Sequence, residues 1–259
     1  MVSLGVGSAG DGGSRGDCMD ETKREDMKPH TPFWGLLRRR ECWVPTWRGW
    51  VLMLATAMVL IVVVVGNLHS FLSVTATVPA EALVVEGWTP DYVYREAIAE
   101  FRRHPYSKVY VTGGSLEQGS HLSEYQTYAN LGAAMLVDMG LSRDVVQAVP
   151  AESVRQDRTH ASAVALRAWL REHHAMPRGL NIISHGAHAR RSWLLFGKVL
   201  GDKTRVGIIS VEDRDYDPKR WWRASQGVRL VMDEMLAYCY ARFLFSPPRE
   251  PPMSPTGAR

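Results

Sequence analysis

The sequence predicts an α/β fold: a doubly wound, mainly parallel sheet of five strands, preceded by one N-terminal transmembrane helix. Three observations predict it. Between residues 81 and 246, short apolar runs alternate with stretches of helical spacing, the βαβ pattern that calls for parallel strands and right-handed crossovers. The turns after those runs are polar or Gly-rich, while the starts of the runs are plain, so the chemistry gathers at one edge of the sheet. Ahead of them, residues 49–80 contain no Asp, Glu, Lys or Arg, enough chain for the ~20 apolar residues that a bilayer span requires.

Residues 1–48 are rich in Gly, Ser and charged side chains without apolar periodicity, and are predicted to be a disordered cytoplasmic tail ending in a basic flank. Residues 49–72 form the predicted anchor, with Trp43, Trp47 and Trp50 where an interfacial aromatic belt belongs. Arg38, Arg39, Arg40 and Arg48 precede the span, whereas Glu81, Glu86 and Asp91 are the first charges after it. The positive-inside rule therefore places the N-terminus in the cytoplasm and the α/β domain on the far side of the membrane. A cleaved signal peptide is the competing reading, since Ser73-Val74-Thr75-Ala76 offers small residues. Residues 73–80 read as a linker, and residues 247–259 as a disordered Pro-rich tail.

Within the domain, Ala82-Leu83-Val84-Val85-Glu86 is the first strand, and Thr89 is the expected cap of a helix over residues 90–103. Residues 108–114 give the second strand. The second helix is predicted over residues 122–139, capped by Ser120 or His121 and closed by Gly140. Residues 145–149 form a weaker strand, and residues 159–174 a helix with Thr159 at its start. Leu180-Asn181-Ile182-Ile183-Ser184-His185 is the fourth strand, turning at Gly186 into a helix that begins at His188. Residues 205–211 form the fifth strand, and residues 221–245 a long final helix.

Candidate site residues follow from the strand ends. Gly87, Thr112, Gly113 and Gly114 offer close backbone approach to an anion. His188 and Arg191, three residues apart at a helix start, share a face suited to phosphate or carboxylate. Ser184, Thr159 and Glu124 complete the expected ligand set; His188 is the expected general acid or base, and Glu86 and Glu152 are the carboxylates that would orient it or activate water. His185 and His188 have metal-type spacing but no third ligand, and two neighbouring arginines repel a cation, so no metal is expected. The P-loop, dinucleotide and G-x-S-x-G patterns are absent. Net charge is +4, without the basic stripe interleaved with aromatics that a nucleic-acid partner needs.

On these residues the globular part resembles the ElyC/SanA/YdcF family of bacterial envelope proteins. Ala82-Leu83-Val84-Val85-Glu86-Gly87-Trp88, Val109-Tyr110-Val111-Thr112-Gly113-Gly114, Ser123-Glu124, Glu152 with Arg158-Thr159, and Ser184-x-x-x-His188-x-x-Arg191 carry the resemblance. It implies a Rossmann-like fold, membrane anchoring and a role in cell-envelope or peptidoglycan-related biogenesis. The family usually has Leu-Gly-Gly where this chain has Glu86-Gly87-Trp88, and Asn in place of Arg158. The leading expectation is a membrane-anchored protein that acts on or binds a phosphate-bearing envelope precursor, such as a lipid-linked saccharide, with no cofactor assigned. The alternatives are a non-catalytic ligand-binding or scaffolding module, and a cytoplasmic nucleotide or S-adenosylmethionine binder, which requires the reverse topology.

Overall fold

The structure is a computed structural model that describes residues 45–117, 119, 122–201 and 203–246. Five strands form one all-parallel sheet: β1 (Ala82–Glu86), β2 (Lys108–Gly113), β3 (Val146–Pro150), β4 (Gly179–His185) and β5 (Arg205–Val211). Their order, β3-β2-β1-β4-β5, is that of a Rossmann-like sheet. The winding reverses between β1 and β4, which leaves a crevice beyond their carboxyl ends.

Alternation along the strands supplies both faces of the core. On one face Val84, Tyr110, Val149 and Ile182 pack against Leu166 of α4 (Arg158–Glu172) and Phe196 of α5 (Ala189–Leu200). On the other, Leu83, Val85, Val109 and Val111 meet Val93 and Tyr94 of α2 (Asp91–Arg103) and Leu136 of α3 (Tyr128–Asp138). β1 is central and buried at every position, which explains its unbroken apolar run.

The structure differs from the sequence expectations at several boundaries. α1 (Trp47–Leu72) begins inside the expected tail, and it is the one described helix long and apolar enough to cross a membrane. The tail itself, residues 1–44, the Ser120 and His121 caps, and residues 247–259 lie outside the described residues. Residues 73–80 are no free linker. Ala76 pairs antiparallel with Ile208, and Val78 exchanges hydrogen bonds with the Asn181 side chain at 3.0 Å each.

α3 starts six residues later than predicted. Gln126 takes a left-handed φ of 55° and Ser115 bridges Thr127, so the chain turns through residues 122–127. Thr127 then caps the helix by accepting from the Asn130 N–H. Thr89 caps nothing; its hydroxyl donates to the Glu86 carbonyl. Asp157, not Thr159, stands at the N-cap of α4, without a side-chain cap bond. The final helix divides into a 3₁₀ turn (Pro218–Arg223), α6 (Ser225–Cys239) and a π turn (Tyr240–Leu244).

Gly87 and Gly113 let the start of α3 close on the ends of β1 and β2. A Cβ at Gly87 would lie 2.4 Å from the Tyr128 carbonyl oxygen, and one at Gly113 would lie 2.7 Å from the Tyr128 Cβ. At Gly114 the nearest atom would be 3.6 Å away. Gly87→Ala and Gly113→Ala are therefore each expected to cost about 1–3 kcal/mol by overpacking. Gly114→Ala is expected to stay within about 0.5 kcal/mol of the parent. Denaturant unfolding of the full chain in detergent checks this, and equal midpoints for all three variants would contradict it.

Candidate functional site

Three strand ends and two helices build the site. Glu86 closes β1 and pairs in register with Thr112 on β2, so both side chains leave the same face of the sheet. β4 ends at Ser184 and His185, and Gly186, at φ +47°, turns the chain through a short 3₁₀ segment to His188. α5 then projects His188, Arg191 and Ser192 toward Glu86, because positions three and four apart share a helical face. α6 closes the far side with Glu234.

Glu86 is 2% exposed. Its carboxylate accepts from the Ser184 hydroxyl and from the Ser192 hydroxyl, the latter at 2.9 and 3.0 Å. His188 Nε2 lies 3.5 Å from Glu86 Oε1 and 3.5 Å from the Thr159 hydroxyl. The other ring nitrogen, Nδ1, is 2.9 Å from Glu234 Oε1. Arg191 grips the same carboxylate with Nε at 2.8 Å and Nη2 at 3.0 Å, a two-pronged ion pair. Arg191 Nη2 also stands 2.9 Å from His188 Nδ1. Both nitrogens are donors once the ring is protonated, so Glu234 Oε1 takes both protons. The Trp88 ring covers His188 edge-on, with centroids 4.7 Å apart.

The electrostatics follow from this alternation of charge. Burial alone would push His188 toward neutrality, but Glu234 and Glu86 outweigh it and raise its pKa to about 9. Burial likewise favours protonated carboxyls, yet the His188 charge and the donated hydrogen bonds hold Glu86 and Glu234 below the ordinary carboxylate range. At neutral pH the set is imidazolium, guanidinium and two carboxylates. The two carboxylates thus favour the protonated, positively charged form of His188. Glu86 is its buried counter-charge.

Above this array opens a cavity of about 910 Å³. Of the residues expected from sequence, Glu86, Thr112, Gly113, Gly114, Glu152, Thr159, His188 and Arg191 line it. Gly87 does not; it is a packing position against Tyr128. Ser184 is fully buried beneath Glu86 and supports it from below. Glu124 is exposed in the turn before α3 and does not line the cavity. Glu152 lines the rim but is exposed. The Thr112 hydroxyl is buried at the cavity wall with no hydrogen-bond partner.

Sequence reasoning missed Glu234, Ser192 and Trp88. Ser192 follows His188 by four residues, a spacing that signals a shared face. Glu234 carries no such signal, since its partners stand more than forty residues earlier. No group of three or more potential metal ligands occurs among the described residues. Comparison with protein-family models, with curated proteins and with solved structures gives no match to this chain.

Proposed function

We propose that this protein is a membrane-anchored member of the cell-envelope machinery, similar to the ElyC/SanA/YdcF family, whose α/β domain holds a phosphate-bearing envelope precursor. α1 is the anchor, with the N-terminus in the cytoplasm of a bacterial cell and the cavity beyond the inner membrane. The observation that carries the reading is the buried Glu86–His188–Glu234–Arg191 array at the floor of a large cavity, at the carboxyl edge of a parallel sheet. A lipid-linked saccharide phosphate fits the cavity's chemistry. Thr112 offers an unspent hydroxyl, the uncapped first turn of α4 offers N–H groups, and His188 supplies positive charge and a transferable proton.

The array also favours a second reading, a binding module without turnover. Glu234 is committed to Arg191 and His188, and Glu86 to two serines, so neither carboxylate is left to take up a proton from a nucleophile. Recovery of the bound phosphate compound chemically unchanged after prolonged incubation supports this version, and its conversion supports an enzyme.

Thr112→Val separates ligand binding from stability. Removing an unpartnered buried hydroxyl is expected to leave stability unchanged or slightly raised. The same change is expected to weaken binding of a polyprenyl phosphate by about tenfold, the worth of a hydrogen bond to a charged group. Calorimetric titration of the full chain in detergent measures both variants. Unaltered affinity in Thr112→Val and in His188→Gln would remove the cavity as the phosphate site.

A further inference from the structure

The end of α1 is built into the domain, and its partner there is α6. Leu72 is buried with Tyr216, Trp221 and Val231, and Val65, Leu68 and Met235 pack around them. Two contacts tie α6 and the 3₁₀ turn before it to α1. Trp221 Nε1 donates to the Val65 carbonyl at 3.2 Å, and the Tyr238 ring meets Phe71 edge-on at 5.5 Å.

Counted from Gly49, where the uncharged run begins, a hydrocarbon core about 30 Å thick is crossed by residue 68. Trp221 and the exposed Trp222 then stand at the lipid–water boundary, where tryptophan is favoured. From there α6 and its π turn expose Val228, Met232, Leu236, Phe243 and Leu244, the last three at 66%, 76% and 75%. Lys219, Arg220, Arg223, Arg229 and Arg242 are exposed along the same segment, against Asp217 and Asp233. Apolar and cationic side chains exposed together on a segment packed against the end of a span are the composition of an interfacial helix.

We propose that the segment 218–244 is a second membrane contact, lying in the headgroup layer of an anionic phospholipid surface. This rests on reading α1 as a membrane span. It deepens the functional proposal, because Tyr240 and Ala241, at the end of this segment, and Phe245 just after it line the cavity. A ligand whose hydrocarbon chain stays in the bilayer would reach the phosphate site without leaving the lipid.

The test uses the full chain, with Cys18, Cys42 and Cys239 replaced by Ser, in nanodiscs of mixed phosphatidylglycerol and phosphatidylcholine. Nitroxide labels are placed at Leu236→Cys and Phe243→Cys, with Val59→Cys in α1 and Glu172→Cys on the exposed end of α4 as references. For the two α6 labels, the ratio of collisions with oxygen to collisions with a water-soluble nickel chelate is expected to exceed the Glu172 value about threefold. Lys219→Gln with Arg220→Gln and Arg223→Gln, or pure phosphatidylcholine, is expected to remove about half of that excess.

Water-like α6 labels beside a lipid-like Val59 label would overturn the proposal and leave the span intact. A water-like Val59 label would overturn the span, and the proposal with it. Lipid-like α6 labels that ignore both lipid charge and the triple substitution would overturn the assignment to anionic headgroups.

Discussion

Replacing Glu234 with Ala is expected to destabilise the full chain by about 3–5 kcal/mol, the range for breaking a buried ion pair from one side. Glu234 accepts from His188 and twice from Arg191, so its loss leaves a guanidinium that is 20% exposed and an imidazolium that is 9% exposed without their shared counter-charge. Its carboxylate is 16% exposed, so the pair is only weakly screened by solvent. Replacing Arg191 with Met as well is expected to recover part of the loss, because the two substitutions remove parts of one interaction. Urea or guanidinium unfolding in detergent measures both. A cost for Glu234→Ala below about 1 kcal/mol, the value of an exposed pair, would show that the array does not hold α6 to the domain.

The second large effect is on the pH dependence of stability. His188 has its folded pKa raised from 6.5 to about 9, so its contribution is fully present below pH 6.5 and disappears as pH rises through 9. The size of the shift corresponds to about 3 kcal/mol. Glu86 and Glu234 are shifted downward from 4.5, so their contributions are present above pH 4.5 and are lost as pH falls through their folded values. Stability is expected to be highest between pH 4.5 and 6.5 and to decline on both sides. His188→Gln should flatten the alkaline limb between pH 6.5 and 9 while sparing the acid limb in part, since Arg191 still faces Glu234. An alkaline limb of equal depth in His188→Gln would assign it to another group.

Legibility in the sequence followed the range of the interactions. Buried parallel strands announce themselves as apolar runs because both faces are covered, and the five runs from Ala82 to Val211 became five strands. The turns with Thr112, Gly113, Gly114 and His188 were found because a strand end and a helix start are local events. Boundaries were less legible where a single residue breaks the period. Gln126 at positive φ delays α3 to Tyr128, and apolar spacing over residues 122–127 gave no warning. Glycine was legible as a feature but not in its purpose. Gly113 makes room for Tyr128, whereas at Gly114 a side chain would meet only ordinary contacts.

The sequence by itself determined the alternation of strand and helix, the apolar helix ahead of it, and the strand edge where polar residues gather. Each depends on periodicity within a few turns of chain. Only the tertiary structure decided which charges share the site. Sequence offered Glu152 and Glu86 as partners for His188, and the fold supplied Glu234 from α6 and left Glu152 at the rim. It also decided the surroundings of His188, setting two carboxylates that raise its pKa against the burial that lowers it. The reason is that a buried charge takes its protonation from whatever packing brings within hydrogen-bond reach. That partner arrives through the docking of α6 against α1 and α5, a contact between segments far apart in the chain that leaves no periodic trace in it.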